Sequence, residues 1–385
     1  MPEITISSAV RANLNALQST SQLMSSVQER LATGKKVNSA LDNPNSFFTA
    51  KGLENRASDL STLLDDMGQS VQTLKAADQA ITSISDLVDA AKAKANQALQ
   101  TSSQSERKDF AAEYNELLTQ IEDLAKDAGY KGKNLLGGSG NDLSVIFNED
   151  GTSSLSITSV DYTDTTSSTG LNLSDLAAAA DGTSTVAFTN GSAGATALAS
   201  GATVVTDDDF TAGDTLTLSD STGTELATLE ITASTTVADV ADFINGSNSD
   251  VSAATSAGGV DVTTSIDLSL SSDASGFTDI SISAGTSNGF ATDSNIEATL
   301  SRLTSAQDTL RAQASTFGTN LSIVENRQDF TNALINTLEE GAGKLTLADT
   351  NEEGANLLAL QTQQSLASTS LSLAAQADQN VLRLF

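Results

Sequence analysis

The feature that most constrains this chain is a seam of apolar residues running from Ile296 to Leu338. Alternate steps of four and three residues pick out Ile296, Leu300, Leu303, Gln307, Leu310, Ala314, Phe317, Leu321, Val324, Gln328, Thr331, Ile335 and Leu338. Ten of these thirteen positions are apolar, and the residues between them are mostly polar or charged. A spacing near 3.5 held over this length predicts a helix lying along other helices, not one capping a compact globule. No proline interrupts it, and at 1.5 Å per residue it would extend roughly 65 Å. Such a helix needs partners of matching length.

Two candidate partners precede it. A helix predicted from about Phe47 to Gln100 carries the seam Leu60, Leu64, Met67, Val71, Leu74, Asp78, Ile81, Ser85 and Val88. Thr101 to Ser105 closes it, with Ser105 or a neighbour placed to cap a third helix striped by Phe110, Tyr114, Leu117, Ile121, Leu124 and Ala128. The glycines from Gly129 to Gly140 end that helix. The chain ends are thinner. A first helix, about Ser7 to Ala32, runs through Val10, Leu14, Leu17, Met24, Val27 and Leu31, but Ser21 and Gln28 stand where apolar residues are wanted. Gly34 breaks it, and Asp42-Asn43-Pro44-Asn45 marks a turn. A last helix, about Asn351 to Phe385, reads Leu357, Leu360, Gln364, Ala367, Leu371, Ala374, Asp378, Val381 and Phe385, after a hinge or stop at Gly341-Ala342-Gly343.

From Leu143 the period changes to two: Leu143, Val145 and Phe147; Leu155 and Ile157; Leu216 and Leu218; Leu226, Leu229 and Ile231; Ile280 and Ile282. These short runs, broken by Gly, Asp, Asn and Ser, predict antiparallel hairpins, with short helices at Ala177–Ala180 and Val237–Ile244. The expected fold class is therefore α+β: long antiparallel helices from both chain ends forming a coiled-coil rod, with a central β-rich hairpin insert. The first helix would meet the last, and the second and third would meet the long one. Each end alone buries too little apolar surface to offset its ordering cost, so the ends fold on each other as copies stack.

Charge divides the chain the same way. Between Asn134 and Ser301 there are 23 acidic residues and no basic one, so the middle holds −23 of the net −30. That sign argues against nucleic acid and suits a solvated outer surface. The absence of Cys and His removes disulfides, thiolate nucleophiles, and the commonest general base and metal ligand. No catalytic residue, cofactor or metal site is expected. Asp207-Asp208-Asp209 could ligate Ca²⁺, but a solvated acidic loop is the plainer reading. The start, Met1-Pro2-Glu3-Ile4-Thr5-Ile6, lacks the basic and apolar segments of a cleaved secretory signal, and no apolar run is long enough to span a membrane.

Specific residues add a resemblance. Arg30-Leu31-Ala32-Thr33-Gly34-Lys35-Lys36-Val37-Asn38-Ser39-Ala40-Leu41-Asp42 resembles the "RLSSGxRINSAxDD" segment of bacterial flagellins. Asn13-Leu14-Asn15-Ala16-Leu17 is similar to that family's "N-x-x-A-L", and Ala375 to Phe385 to its "AQANQ…VLxLL" ending. Thr236 to Gly246, with Val251-Ser252-Ala253 and Gly258 to Val262, resembles an insert module of some flagellins and hook-associated proteins, in which a helix ends on "IN" before strands. The chain's ending departs from the usual "ANQxPQxVL" form and lacks its proline. The stretch Leu87 to Gln97 has no arginine where many flagellins carry the "QRxRELxVQ" segment read by the animal Toll-like flagellin receptor, which argues against receptor activation.

The resemblance implies a homopolymeric extracellular filament used for motility. It implies an inner-core helix over 1–40 paired with 345–385, a rod domain over 41–140 and 295–344, and a variable exposed insert over 141–294. The assembly interface would use Leu14, Leu17, Met24, Val27, Arg30, Leu31, Val37, Asn38, Asp42, Leu357, Leu360, Leu371, Val381, Leu382 and Phe385. Implied partners are a type III export apparatus, an export chaperone at the C-terminal helix, the filament cap and hook-associated proteins. The Ser and Thr of the insert are candidate O-glycan acceptors. Two rival readings are a hook–filament junction protein, which copy number would separate, and a coiled-coil surface adhesin, which would need an anchor.

Overall fold

The computed structural model describes residues 8–189, 197–207 and 209–382. The fold is α+β: long helices at both ends of the chain and antiparallel sheets in the middle. The helices are α1 (Ser8–Thr33), α2 (Pro44–Gln100), α3 (Gln104–Asp127), α4 (Val237–Asn245), α5 (Asp293–Thr346) and α6 (Thr350–Leu382). The chain divides into two compact units. One comprises Met1–Gly68, Val145–Ser154 and Glu325–Phe385; the other comprises Gln69–Ser144 and Leu155–Val324.

In the first unit α1 and α6 run side by side with their backbones close, as the Ala and Ser of both helices allow. They are antiparallel: Asn13 Nδ2 donates to Ser370 Oγ at 3.3 Å, and Arg30 pairs with Glu353 at 3.2 Å. The start of α2 packs on the end of α5 through Ala57, Leu60 and Leu338, with Leu53, Leu334 and Ile335 around them. The tip of a hairpin lies on these helices, with Glu149 paired to Arg56 and the Phe147 ring 5.2 Å from the Arg327 guanidinium.

Two boundaries differ from expectation, each for a physical reason, and a third falls within it. The helix does not stop at Gly341-Ala342-Gly343 but continues to Thr346. Ala342 is buried there, and Leu53 lies 3.5 Å from where a Gly341 Cβ would stand, so glycine answers a close approach. The second helix begins at Pro44, where a missing N–H costs nothing, and Asn43 Oδ1 accepts from Ser46 N at 3.1 Å. The cap of α3 is Ser103, one of the neighbours of Ser105.

In the second unit the seams of α2, α3 and α5 are inward. All thirteen seam positions of α5, counting those in both units, are buried or half-buried. On α2 the expected Asp78 is exposed and Ala77 is buried in its stead. Gln307 fills a polar seam position, accepting from Lys92 Nζ at 3.3 Å and donating to Asp89, which ties the register of α5 to α2.

The strands are β1 (Leu143–Ile146), β2 (Ser154–Ile157), β3 (Gly182–Val186), β4 (Thr215–Asp220), β5 (Glu225–Glu230), β6 (Val251–Ser256), β7 (Gly259–Thr264), β8 (Leu268–Ser272) and β9 (Ile280–Ile282). They form a two-stranded sheet β1-β2, a three-stranded sheet β3-β7-β6 and a four-stranded sheet β5-β4-β8-β9. One core joins the two larger sheets and α4, including Phe188, Phe210, Leu216, Leu218, Val240, Ile244, Val260, Val262 and Leu270. Ala177–Ala180 is irregular, not helical, and ends in an isolated bridge at Ala180. Its backbone groups are taken by Thr286 and Gly289, and the Leu176 N–H by the Asn115 side chain.

Polar contacts from one stretch, Ser102 to Lys108, bind the sheets to the helices. Gln104 N donates to the buried Asp220 carboxylate at 3.1 Å, Lys108 Nζ donates to Ser265 Oγ at 3.0 Å, and both Lys108 and Ser105 reach Asp250. Arg107, 4% exposed, donates to Thr101 O and pairs with Asp293 at 2.6 Å.

The chain passes into and out of the larger sheets through a narrow neck. Ala180 bridges Thr286, and a Cβ on Gly182 would lie 2.3 Å from Ser283 O. Gly182→Ala should therefore cost on the order of 2–3 kcal/mol of unit stability by forcing two backbones apart, measurable as a lowered urea midpoint.

Candidate assembly surface

At the end of α1 the chain turns through Gly34, whose φ of +67° favours glycine, and meets the end of α5 as a short antiparallel bridge. Lys36 N donates to Thr346 O at 2.8 Å and Ala348 N to Gly34 O at 2.9 Å. The two helix breaks are thus one feature, each end satisfying the other's backbone. Val37 is buried beside it.

The following turn is held by Asp42. Its Oδ2 accepts from Ser39 N at 2.8 Å, Asn38 N at 2.9 Å and Ser39 Oγ at 3.3 Å. The Ser39 and then the Asn38 amide hold its carboxyl below the usual carboxylate range. A depressed folded value means that the contribution is present above the unfolded value, about 3.9, and lost as pH falls through the folded one. An NMR titration should place the Asp42 midpoint below that of a model peptide, with the amides of Asn38 and Ser39 losing protection in the same acid range. Arg30 and Asp42 do not form a pair: Arg30 goes to Glu353, whose second oxygen, Oε2, is buried without a hydrogen-bond partner.

The expected interface residues separate into three groups. Val27 and Val37 are buried; Leu17, Met24, Arg30, Asn38, Leu357, Leu360 and Leu371 are half-buried. Leu14, Leu31 and Asp42 are exposed. Val381 and Leu382 belong to α6, but their side-chain surroundings, like the whole of Phe385, lie outside the described residues. The inward face of α1 is therefore Asn13, Leu17, Thr20, Met24 and Val27, one step off the frame through Leu14, Ser21 and Gln28. The shift follows from Thr20, only 3% exposed, whose hydroxyl is satisfied by Ala16 O at 2.8 Å, and from Asn13, bonded to Ser370. A polar residue that satisfies itself locally can sit inside, and apolar counting misses it.

Sequence reasoning also missed most of the surface leucines. The exposed large apolar residues are Leu14, Leu23, Leu31, Leu41, Phe48, Ile146, Ile323, Phe330, Leu347, Leu358, Leu366 and Leu373. Among the described residues, none falls between Ile146 and Ile323, the span that holds nearly all of the uncompensated acid. Leu358, Leu366 and Leu373, spaced by eight and seven, lie on one side of α6. No described helix is long and apolar enough to cross a membrane.

Among the described residues, the exposed leucines thus lie on the terminal helices and their junctions and not on the acidic region between them. Comparison with known proteins names the class. The family model for the bacterial flagellin N-terminal helical region matches residues 5–141, and that for the C-terminal helical region matches residues 300–385. The chain belongs to the bacterial flagellin family, the structural proteins of the flagellar filament, and is a filament subunit. Flagellin A of Rhizobium meliloti is 28% identical over 422 residues, and Flagellin B of the same organism 27% over 423, each alignment covering all of both chains. Flagellin C of Rhizobium meliloti strain 1021 is 39% identical over 113 residues, 27% of this chain and 35% of that one. The match to a crystal structure of FlgL from Xanthomonas campestris covers 74% of this chain and 98% of that chain at 13% identity, with a TM-score of 0.33.

Proposed function

We propose that this subunit is exported unfolded by a type III route and polymerises outside the cell by coupled folding of its two ends. The supporting observation is the segregation of exposed apolar side chains to the first 48 residues, Ile146, and Ile323 onward. In this reading 1–40 and 345–385 form the inner core, 41–140 and 295–344 the surrounding layer, and 141–294 the solvent-facing insert. The fifteen interface residues from Leu14 to Phe385 then divide between those that hold α1 to α6 and those, such as Leu14 and Leu31, that meet another copy. The C-terminal helix is the segment for an export chaperone, and the filament cap guides docking. The chain performs no catalysis, and the arginine-free stretch from Leu87 to Gln97 is not read by the Toll-like receptor.

Hydrogen exchange on the monomer and on seeded filaments tests this. The amides of Ser8–Thr33 and Thr350–Leu382 should exchange quickly in the monomer and become protected in filaments seen by electron microscopy. Full protection of both segments in the dilute monomer would remove coupled folding from the account.

A further inference from the structure

Among the described residues, β3 and β6 end one of the two larger sheets and β5 and β9 the other. Three of these strands discourage an outside strand by ordinary means. β9 is only three residues long, β3 lies beside β9 at the neck, and β5 carries Glu225 and Glu230 at its ends. β6, Val251-Ser252-Ala253-Ala254-Thr255-Ser256, is six residues long and has neither charge nor proline, in an insert that is otherwise acidic.

Its outer edge is met by the last residue of α4. Asn245 Nδ2 donates to Ala253 O at 2.7 Å, and Ala253 N donates to Asn245 Oδ1 at 2.7 Å. One side-chain amide thus makes the two-way exchange that a residue of a paired antiparallel strand would make. Alternation along the β6–β7 ladder turns Val251 and Thr255 to the same side as Ala253. Val251 N donates to Asn248 O at 3.3 Å, and Thr255 is exposed. The helix holds the amide in place: Ile244 is fully buried in the sheet core, and Gly246 N donates to Asp242 O at 3.0 Å. The two residues that close α4 therefore have separate tasks, Ile244 as anchor and Asn245 toward the strand edge.

We propose that Asn245 occupies a strand-pairing site and so keeps β6 from joining β6 of a second copy. Antiparallel pairing of this strand with itself, Ala253 opposite Ala253, is two-fold symmetric, so one uncovered edge serves both partners. A filament subunit is surrounded by copies of itself, which makes a second copy the strand to be kept out. The contact lies within the insert and is present before any assembly.

The test uses the unseeded full-length chain in about 0.15 M salt, where exposed charges are screened beyond roughly 8 Å. In sedimentation equilibrium Asn245→Ala should dimerise about tenfold more tightly than the unsubstituted chain, and Asn245→Asp, which leaves a charge at the edge, should not. Adding Thr255→Pro to Asn245→Ala removes an outward N–H without a ladder bond, and should return the dissociation constant to that of the parent. Asn245→Ala associating no more than the parent, Asn245→Asp associating equally with it, or no return with Thr255→Pro would each overturn the proposal. Hydrogen exchange on the unsubstituted chain tests it without any substitution: the Ala253 amide should exchange about tenfold more slowly than that of Thr255. Equal rates at the two positions would mean that Asn245 does not hold the edge, and would overturn it too. None of these readouts involves filament growth, so the coupled-folding reading stands or falls separately.

Discussion

Replacing Val27 by aspartate abolishes filament growth and leaves the sheet region folded; this is the largest effect expected of any single change in α1. Val27 is 7% exposed on the face turned to α6, with Met24 and Thr20 along the same line. A carboxylate there loses water without gaining a donor, a penalty of several kcal/mol. The helix pair has little reserve against it. Leu357, Leu360, Ala367 and Leu371 on the α6 side are only half-buried, and the polar contacts between the described residues of the two helices include an exposed hydrogen bond and one ion pair. Light scattering after seeding should show no growth, while a melt of the sheet region stays within about a degree of the parent, since mutations at distant sites act independently. Normal filaments from Val27→Asp would mean that α1 and α6 need not pair for assembly.

The complementary change is Phe188→Ala. Phe188 is fully buried in the core of the two larger sheets, its ring 6.0 Å from that of Phe210, which in turn lies 5.2 Å from Phe277. Removing a buried aromatic ring leaves a cavity that close-packed neighbours fill poorly, and costs about 3–5 kcal/mol. The expected result is a sharply lower melting temperature for the insert and rapid proteolysis within it, on filaments that still form. Loss of filaments would show that insert and assembly surface are not energetically separate. The two variants together exchange the outcomes of one assay pair, which a general loss of stability could not do.

The long helix was the most legible part of the chain because its period repeats over more than forty residues, enough to outvote Gln307, Gln328 and Thr331. The same counting set α1 one step out of frame, since Asn13 and Thr20 pass inward on hydrogen bonds that the sequence does not display. Gly341 and Gly343 read as a break because glycine's use at a tight helix contact looks identical to its use at a stop. Strand β3 offers Val186 as its only large apolar residue, so nothing local announced it; its place comes from pairing with Asp261, Val260 and their neighbours on β7. The assembly surface was legible in region but not in residue. Leu14 and Leu17 are equivalent as letters, and only packing against α6 decides which one is left outside.

The neck at Ala180–Gly182 and Ser283–Thr286 has an evolutionary corollary. Two chain crossings set side by side are the geometry at which foreign domains splice into a host with least disturbance. What lies distal to that crossing should tolerate lengthening and shortening better than the helical ends, provided that Asp220, Asp250 and Ser265, which answer the polar groups of Ser102–Lys108, keep their places. Natural variation among such subunits, and any engineered display of peptides on them, should concentrate beyond this waist.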